Sequence, residues 1–423
     1  MTLLLGIIAD DYTGATDIAS TLAQQGMRVI QVIGIPRDDF DPGDAEAIVI
    51  ALKSRTNPSA EAVDWSRRSL KWLRERGARQ ILFKYCSTFD SSARGNIGPV
   101  ADALLSDLDK RFAFVCPAFP DNRRTVYQGY LFVGEQLLSE SSMRDHPLTP
   151  MRDASLLRLL RAQTPHEVGL IPHQAVASGA GSIEDATDEL IAGGARYGVV
   201  DALTNADLVA IGTVAIQHSL VTGGSAIAGG MAVALREAGL FSPSAVNTTA
   251  APAGRSLLVA GSCSETTRRQ VAAARQSWPE YRLDLDALAQ QAVDIDAIVR
   301  WAIEQDPRHP VMIHSASTPQ EVESIQASLG VEAAGALVEA ALAEITRRLV
   351  EAGFSRLIVA GGETSGAVIS ALGIDALRIG AQIDPGVPWT TTLTTRPLAL
   401  ALKSGNFGQD DFFQRAFALL DQA

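Results

Sequence analysis

Short apolar runs alternate with amphipathic stretches along most of the chain. In the first half, near-continuous apolar runs span residues 3–9, 29–33, 47–52, 80–83, 112–115, 168–171 and 197–200. Helical periodicity fills several of the intervals, over residues 15–25, 60–76 and 183–192. Strands that are apolar on both faces and joined by helices are typical of a parallel sheet covered on both sides. The pattern therefore predicts an α/β fold with mainly parallel sheets.

The alternation breaks once, between Phe241 and Gly254. Pro, Ser, Thr and small residues replace the periodic apolar positions there, which is typical of a linker. The alternation then resumes, with strands predicted at 256–260, 311–314, 356–360 and 398–402 and helices at 265–276 and 332–351. A length of 423 residues also favours more than one core. We therefore predict two α/β domains, residues 1–243 and 256–423, a linker at 244–255, and an active-site cleft between the domains.

Composition excludes several classes of protein. The chain has 36 Lys and Arg residues against 48 Asp and Glu, a net charge of −12, so we expect no nucleic-acid binding through bulk charge. No apolar run approaches the roughly 18 residues of a membrane span, and we expect no signal peptide. The three cysteines are far apart and the six histidines lack metal-binding spacing, so we expect neither a disulfide framework nor a zinc site. A cytoplasmic protein fits these features.

Candidate chemistry lies where the predicted strands end, because open α/β sheets bind ligands beyond the carboxyl ends of their strands. Polar residues follow three strands of the first predicted domain: Asp10, Asp11, Lys53, Arg55, Lys84, Asp90, Arg94 and Asn96. Basic groups gathered at one sheet edge of an acidic protein indicate a pocket for a small anion, and an Arg side chain can grip a carboxylate with two N–H groups. Taken singly, each basic residue is better explained by a surface ion pair, and a helix cap explains Asp11 as well as a catalytic role does.

Three turns rich in glycine and hydroxyl groups follow strands of the second predicted domain. Their candidate residues are Ser262, Cys263, Ser264, Gly361, Gly362, Glu363, Thr364, Gly405 and Asn406. Such turns at helix N-termini expose backbone N–H groups that suit a phosphate, and three together indicate a nucleotide cradle. An ordinary helix cap by Ser264 is the alternative for the first turn. Neither GxxxxGK[ST] nor GxGxxG occurs, which excludes a P-loop and a Rossmann fingerprint.

Several segments together resemble the four-carbon acid sugar kinase family. In the first half they are GIIADDYTGA at 6–15, ALKSR at 51–55, FKYCSTFDS at 83–91, GNIGP at 95–99, VCPAFP at 115–120, RTVYQG at 124–129 and HPLTPM at 146–151. In the second half they are the turns at 261–264, 361–366 and 403–408. The run KYCSTFDS together with GNIGP most resembles the 3-oxo-tetronate 4-kinase branch, and D-threonate and D-erythronate kinases are the sister branches.

The resemblance implies an ATP- and Mg²⁺-dependent kinase that phosphorylates the C4 hydroxyl of a four-carbon sugar acid. It implies that the first domain binds the sugar acid and that the second binds the nucleotide. Asp11, with Asp10 or Asp90 as alternatives, would accept the hydroxyl proton or help hold Mg²⁺. The basic and amide side chains after the strands would hold the acid, and the glycine-rich turns would hold ATP.

Two further questions stay open at this stage. A non-catalytic sensor that binds a sugar acid or a nucleotide is the alternative from a different class of protein. ATP consumption on adding tetronate-type acids would discriminate between the two, because a sensor would consume none. The oligomeric state is also open, with a homo-oligomer as one expectation.

Overall fold

The computed structural model describes residues 3–145, 149–244, 251–290, 292–315, 330–403, 405 and 407–422. The contacts within the chain divide it into two units, residues 1–245 and 246–423. Half of the linker expected at 244–255 falls on residues 245–250, which lie outside the described residues. The linker and the domain boundaries therefore stay predictions.

The first unit alternates strands with helices from its beginning. Its strands are β1 Leu5–Ala9, β2 Val29–Ile33, β3 Ala47–Ala51, β4 Gln80–Lys84, β5 Ala113–Cys116, β6 Arg124–Tyr127, β7 Tyr130–Val133, β8 Gln136–Leu137, β9 Val168–Ile171, β10 Tyr197–Val200 and β11 Leu220–Gly223. Its helices are α1 Tyr12–Gln24, α2 Ser59–Glu75, α3 Ile97–Asp107, α4 Leu156–Arg161, α5 His173–Ala177, α6 Ala180–Ala192, α7 Asn205–Ala215 and α8 Ala226–Glu237. Short 3₁₀ helices span Pro120–Asn122 and Leu138–Glu140.

The sheet of this unit is parallel throughout, in the order β2-β3-β1-β4-β11-β5-β10-β9. Every residue of β1, β3 and β4 is buried, as expected of strands that helices cover on both faces. The chain continues from β1 toward β2 on one side and later returns to place β4 on the other. The order therefore reverses between β1 and β4, which is the position where open α/β sheets bind ligands.

A small antiparallel sheet, β6-β7-β8, follows β5 and was not predicted. Its turns use left-handed backbone at Gln128 and Gly129, and the buried Asp201 carboxylate accepts hydrogen bonds from both of their N–H groups at 2.8 Å. The side chains of Tyr127 and Tyr130 remain exposed. The small sheet is thus attached to the parallel sheet through the residue that follows β10.

The second unit repeats the α/β pattern and ends in an antiparallel edge. Its strands are β12 Arg255–Ala260, β13 Glu280–Arg282, β14 Val311–His314, β15 Phe354–Ala360, β16 Ala376–Asp384, β17 Val387–Thr392 and β18 Ala399–Lys403. Its helices are α9 Glu265–Ala274, α10 Leu285–Ala289, α11 Ile295–Glu304, α12 Val331–Glu351, α13 Gly362–Ala371 and α14 Phe412–Asp421. The strands follow the order β13-β14-β12-β15-β18-β17-β16, parallel up to β18 and antiparallel beyond it.

The core of the second unit fills one face of its sheet. Trp389, Phe412 and Phe413 are almost fully buried, and Leu258 and Ile358 pack into the same cluster. The strand order reverses between β12 and β15, so the turns after these two strands lie at the switch point. In both units the α/β class with mainly parallel sheets is confirmed. In the parts of the chain that the structure describes, every helix is too short or not apolar enough to cross a bilayer.

Candidate active site

Four of the predicted polar residues meet at the switch point of the first unit. The Arg55 guanidinium donates to both oxygens of Asp10, from Nε at 2.9 Å and from Nη2 at 2.7 Å. It also donates to Asp11 Oδ1 at 2.7 Å, and its Nη1 lies 3.6 Å from Asp90 Oδ2. The residues come from the ends of β1, β3 and β4, which are neighbours in the sheet. One cation thus joins three carboxylates.

The surroundings shift the pKa values of the neighbouring carboxylates Asp10 and Asp11 in opposite directions. Burial raises the pKa of Asp10 above its ordinary value in spite of the Arg55 charge. Burial acts on Asp11 in the same direction, but the Arg55 and Lys84 charges and the Gly14 N–H outweigh it and hold the pKa of Asp11 below its usual range. Asp11 is therefore an ionised carboxylate at neutral pH.

Asp11 is also the N-cap of α1. Its backbone is extended, and both carboxylate oxygens accept from the Gly14 N–H at 3.1 Å. The cap expected as the alternative for Asp11 is therefore confirmed, and the ion pair with Arg55 exists beside it. Gly14 is required here, because a Cβ at this position would collide with Asp11 Oδ1 and Lys84 Nζ.

Lys84, the last residue of β4, is the second cation of this site. Its side chain is only 3% exposed, and its ammonium lies against the backbone of Gly14. Within the part of the chain that the structure describes, the ammonium makes no hydrogen bond or ion pair, although its charge acts on Asp10, Asp11 and Asp17. A buried ammonium normally needs a partner. Lys84 therefore stays a candidate group for binding an anionic ligand.

The turn after β4 is strained. Phe89 and Asp90 both adopt left-handed backbone, with φ of 66° and 41°, which is rare for consecutive residues other than glycine. Thr88 Oγ1 donates to Asp90 Oδ1 at 2.6 Å and lies 2.9 Å from Cys86 Sγ. Burial raises the pKa of Cys86 to about 11, so this group is a thiol at neutral pH. Strain of this kind is concentrated at ligand sites.

The other predicted residues of this unit have different placements. The Asn96 amide donates to the carbonyls of Ser54, Asn57 and Arg55 at 2.9, 2.9 and 3.2 Å, so it holds the loop that carries Arg55. Lys53 is exposed directly after β3, and Arg94 is exposed on the turn after β4. The structure does not bring Arg94 into the Asp10–Arg55 cluster.

A pocket opens at the switch point of the second unit. Its cavity volume is about 360 Å³, which is in the range of small-molecule sites. Its lining includes most of the predicted nucleotide-binding residues, namely Ser262, Cys263, Gly361, Gly362, Glu363 and Thr364. The remaining lining residues are Gly261, Leu285, Ser315, Ala334, Gly335, Val338 and Glu339.

Side chains of α9 and β18 bind the third glycine-rich turn to the first. The Gly405 carbonyl accepts from Ser264 Oγ at 2.6 Å, from Thr267 Oγ1 at 2.9 Å and from Lys403 Nζ at 3.1 Å. Burial lowers the pKa of Lys403 to about 8. A Cβ at Gly405 would collide with Ser262 Oγ, so the turns approach each other closely. Asn406 lies outside the described residues.

The two helices at this pocket begin differently. Ser264 caps α9 by accepting from the Thr267 N–H at 3.2 Å, which confirms the cap expected as its alternative role. Helix α13 begins after Gly361, which has a φ of 130° and gives its helix no side-chain cap. The first N–H groups of α13 therefore face the pocket without a cap, an arrangement that suits an anion.

Sequence reasoning missed two polar residues of the first site. Asp17, on α1, accepts a 2.5 Å hydrogen bond from the Ser225 hydroxyl, and these residues are 208 positions apart. The sequence contained a signal for Ser225, because Thr222-Gly223-Gly224-Ser225 follows an apolar run and precedes a helix, as the other selected turns do. Asp17 carries no such signal, since it lies within the periodic pattern of a helix.

Comparison with known proteins agrees with this division into two sites. A model of a sugar-binding N-terminal domain matches residues 5–231, and a model of a nucleotide-binding C-terminal domain matches residues 257–413. The chain belongs to the four-carbon acid sugar kinase family. It is a kinase that acts on a sugar acid, as the predicted resemblance implied.

Its relatives cover nearly its whole length. It is 52% identical to a 3-oxo-tetronate kinase of Pseudomonas savastanoi pv. phaseolicola, with 99% of this chain and 97% of the relative aligned. It is 51% identical to a 3-oxo-tetronate kinase of Cupriavidus necator, again over 99% and 97%. A solved structure from Salmonella typhimurium LT2, described as a tRNA synthase, is 43% identical, with a TM-score of 0.90 and 98% and 99% of the two chains covered.

Proposed function

We propose that this kinase transfers the γ-phosphoryl group of ATP to the C4 hydroxyl of 3-oxo-tetronate, which forms 3-oxo-tetronate 4-phosphate and ADP. The assignment of the substrate rests on the identity of 52% and 51% to two 3-oxo-tetronate kinases over nearly the whole chain. The buried Lys84 ammonium supports an anionic acceptor. D-threonate and D-erythronate are the alternative acceptors.

In the first unit, Lys84 binds the carboxylate of the acid, and Arg94, exposed on the turn after β4, stays a proposed second cation for it. Arg55 is already occupied by Asp10 and Asp11, so its role is to hold these carboxylates and to balance their charge rather than to bind the acid directly. Asn96 acts through Arg55, because it fixes the loop that carries this residue. Lys53 stays a proposed contact of the acid at the end of β3.

Asp11 is the proposed general base. Its side chain is 28% exposed, whereas that of Asp10 is 7% exposed and has both oxygens engaged by Arg55. Asp11 accepts the proton of the C4 hydroxyl as the hydroxyl oxygen attacks the γ-phosphorus, and the bond from that phosphorus to the bridging oxygen breaks to release ADP. Asp90 and Asp10 keep the Arg55 guanidinium in place.

In the second unit, the N-terminus of α13 and the turns at 261–264 and 361–364 bind the phosphates of ATP. The apolar side chains of Leu285, Ala334 and Val338 line the same pocket and provide a surface for the base. Bound Mg²⁺ would neutralise phosphate charge. A carboxylate suits this ion, and Glu363 beside the phosphate turn would hold it. No group of three or more candidate metal ligands occurs among the described residues.

The test is a panel of acids supplied with ATP and Mg²⁺, with ADP and the phosphorylated acid both measured. We expect the highest kcat/KM with 3-oxo-tetronate and one ADP for each acid phosphorylated. A higher kcat/KM with D-threonate or D-erythronate would contradict the proposed substrate. A homo-oligomeric state, a cytoplasmic location and a cleft between the two units stay predictions.

A further inference from the structure

Asp17 and Ser225 form a hydrogen-bonded pair beside Lys84. Asp17 follows Gly14 by three positions on α1, so the two residues lie on the same side of the helix. The Lys84 ammonium lies against Gly14, with Asp11 one turn before it and Asp17 one turn after it. The ammonium therefore lies between two carboxylates of the same helix terminus, and it forms an ion pair with neither among the described residues.

Ser225 is held rigidly with respect to Lys84. Strand β11 pairs with β4, and Gly223 lies directly opposite Lys84 in the register. A Cβ at Gly223 would collide with the Cys116 carbonyl, and one at Gly224 would lie 2.8 Å from the Pro117 carbonyl oxygen, so this turn packs closely on its neighbour. Ser225 itself is 1% exposed.

The Ser225 hydroxyl serves Asp17 and not its own helix. Ser225 precedes α8, a position where serine normally caps the helix, yet its side chain makes no cap hydrogen bond. It donates to Asp17 Oδ2 at 2.5 Å instead. Removal from water raises the pKa of Asp17, and the Lys84 charge and the Ser225 hydroxyl act in the opposite direction. The hydrogen bond from Ser225 therefore fixes the position of the Asp17 carboxylate.

We propose that Asp17 and Ser225 are positioning residues that keep the Lys84 ammonium available for the acid substrate. The Asp17 carboxylate balances the charge of the buried ammonium, and the Ser225 hydroxyl holds that carboxylate back so that it does not pair with Lys84. The inference rests on the proposed function, in which Lys84 binds the carboxylate of the acid.

The decisive experiment is a double-mutant cycle on KM for 3-oxo-tetronate. Ser225→Ala releases the Asp17 carboxylate, which then competes with the acid for Lys84, so KM for the acid should rise about tenfold. The kcat and the KM for ATP should stay within about twofold, because neither depends on the free ammonium. In the Asp17→Asn background, Ser225→Ala should have no further effect, since there is no charge left to restrain.

Matched controls separate positioning from folding. Ser225→Thr keeps the hydroxyl and should restore KM for the acid. Ser69→Ala removes another fully buried hydroxyl of the same unit, one that donates to the Trp65 carbonyl at 2.8 Å, and should leave both KM values unchanged. If Ser225→Ala does not fold, Ser225→Cys preserves the volume with a weaker donor and should show the same rise.

Two outcomes would overturn the proposal. The first is that the effects of Ser225→Ala and Asp17→Asn on KM for the acid simply multiply, which would make the hydroxyl independent of the carboxylate. The second is an equal rise in KM for the acid and for ATP. The Lys84→Met variant shows whether the proposed function or only the positioning role has failed. If it leaves the KM for the acid unchanged, the assignment of Lys84 in the proposed function is wrong. If it raises this KM and Ser225→Ala does not, only the positioning role is wrong.

Discussion

Gly14 stands in the first turn of α1 between the Asp11 carboxylate and the Lys84 ammonium. Glycine in a helix is about 1 kcal/mol less favourable than alanine, so its presence needs a reason outside the helix. The reason is space, because the atoms of both charged groups stand where a Cβ would be. The backbone of one small residue thus forms part of the site.

Gly14→Ala should inactivate the enzyme without unfolding it. The new methyl group displaces Asp11 and Lys84, and such misplacement should lower kcat/KM about 10²-fold or more. The free energy of unfolding should change by less than about 2 kcal/mol, because better helix propensity offsets a weaker Asp11 cap. Steady-state kinetics and denaturant unfolding test both parts. Gly181→Ala on α6, where a Cβ would meet nothing within 4 Å, is the control and should leave activity unchanged.

Asp11→Asn separates the two roles that the structure permits for Asp11. Asparagine caps a helix as well as aspartate does, so the melting temperature should hardly move. An amide cannot accept the hydroxyl proton, so turnover should fall about 10²–10⁴-fold. Asp294→Asn, at the cap of α11, is a matched control that should change neither property. Turnover within a few-fold of the parent would leave Asp11 as a cap and remove it from the mechanism.

Residues at strand ends could be selected from the sequence, but their partners could not. Asp10, Asp11, Lys84 and Asp90 follow apolar runs, and the rule for α/β sheets places them at the site. Arg55 was expected to bind the acid, yet its guanidinium is engaged by Asp10 and Asp11, which lie 45 and 44 positions earlier. The Asp17–Ser225 pair spans 208 positions. Local patterns carry no information on such distances.

Most of the strands and helices could be predicted from the periodicity of apolar positions in the sequence. The predicted strands at 29–33, 168–171, 197–200 and 311–314 match the structure at both ends. The order of strands in the sheet could not be predicted. β11 lies between β4 and β5 in the sheet, although it follows the edge strands β9 and β10 in the chain. The antiparallel β16 and β17 were missed for a related reason, since pairing direction is a tertiary property.

The beginning of α12 offers a test of the nucleotide pocket. Gly335 lines the pocket, and a Cβ there would meet only Glu339 Oε1, at 3.7 Å. Gly335→Leu should therefore fill the pocket while it improves helix propensity by up to about 1 kcal/mol. We expect KM for ATP to rise about tenfold or more, with KM for the acid within about twofold and no loss of thermal stability.

Gly181→Leu is the matched control for Gly335→Leu, since it places the same side chain on an exposed helix of the first unit. It should leave KM for ATP unchanged. Unaltered nucleotide kinetics in a folded Gly335→Leu enzyme would mean that ATP does not use this pocket.

The whole chain carries a net negative charge, although both of its proposed ligands are anions. A net charge of −12 repels both an acid and ATP at long range. Attraction must therefore come from local groups, and each unit supplies a different kind. The first unit offers the Lys84 ammonium, a full charge in a buried position. The second offers the uncapped N-terminus of α13, whose backbone N–H groups carry partial charges.

In the proposed function the two ligands bind to different units, so the residues that determine the binding of each ligand alone should be separable. Lys84→Met should weaken binding of the acid about tenfold or more and leave ATP affinity within about twofold, because a buried charge-assisted hydrogen bond is lost only in the first site. Gly335→Leu should show the reverse pattern. In the double variant the two changes in binding free energy should appear unaltered, each on its own ligand, because the two substitutions alter different units and share no partner. Titration calorimetry with one ligand at a time measures these affinities in the parent, the two single variants and the double variant. Equal weakening of ATP and acid binding by Lys84→Met would instead place the ammonium on the phosphates.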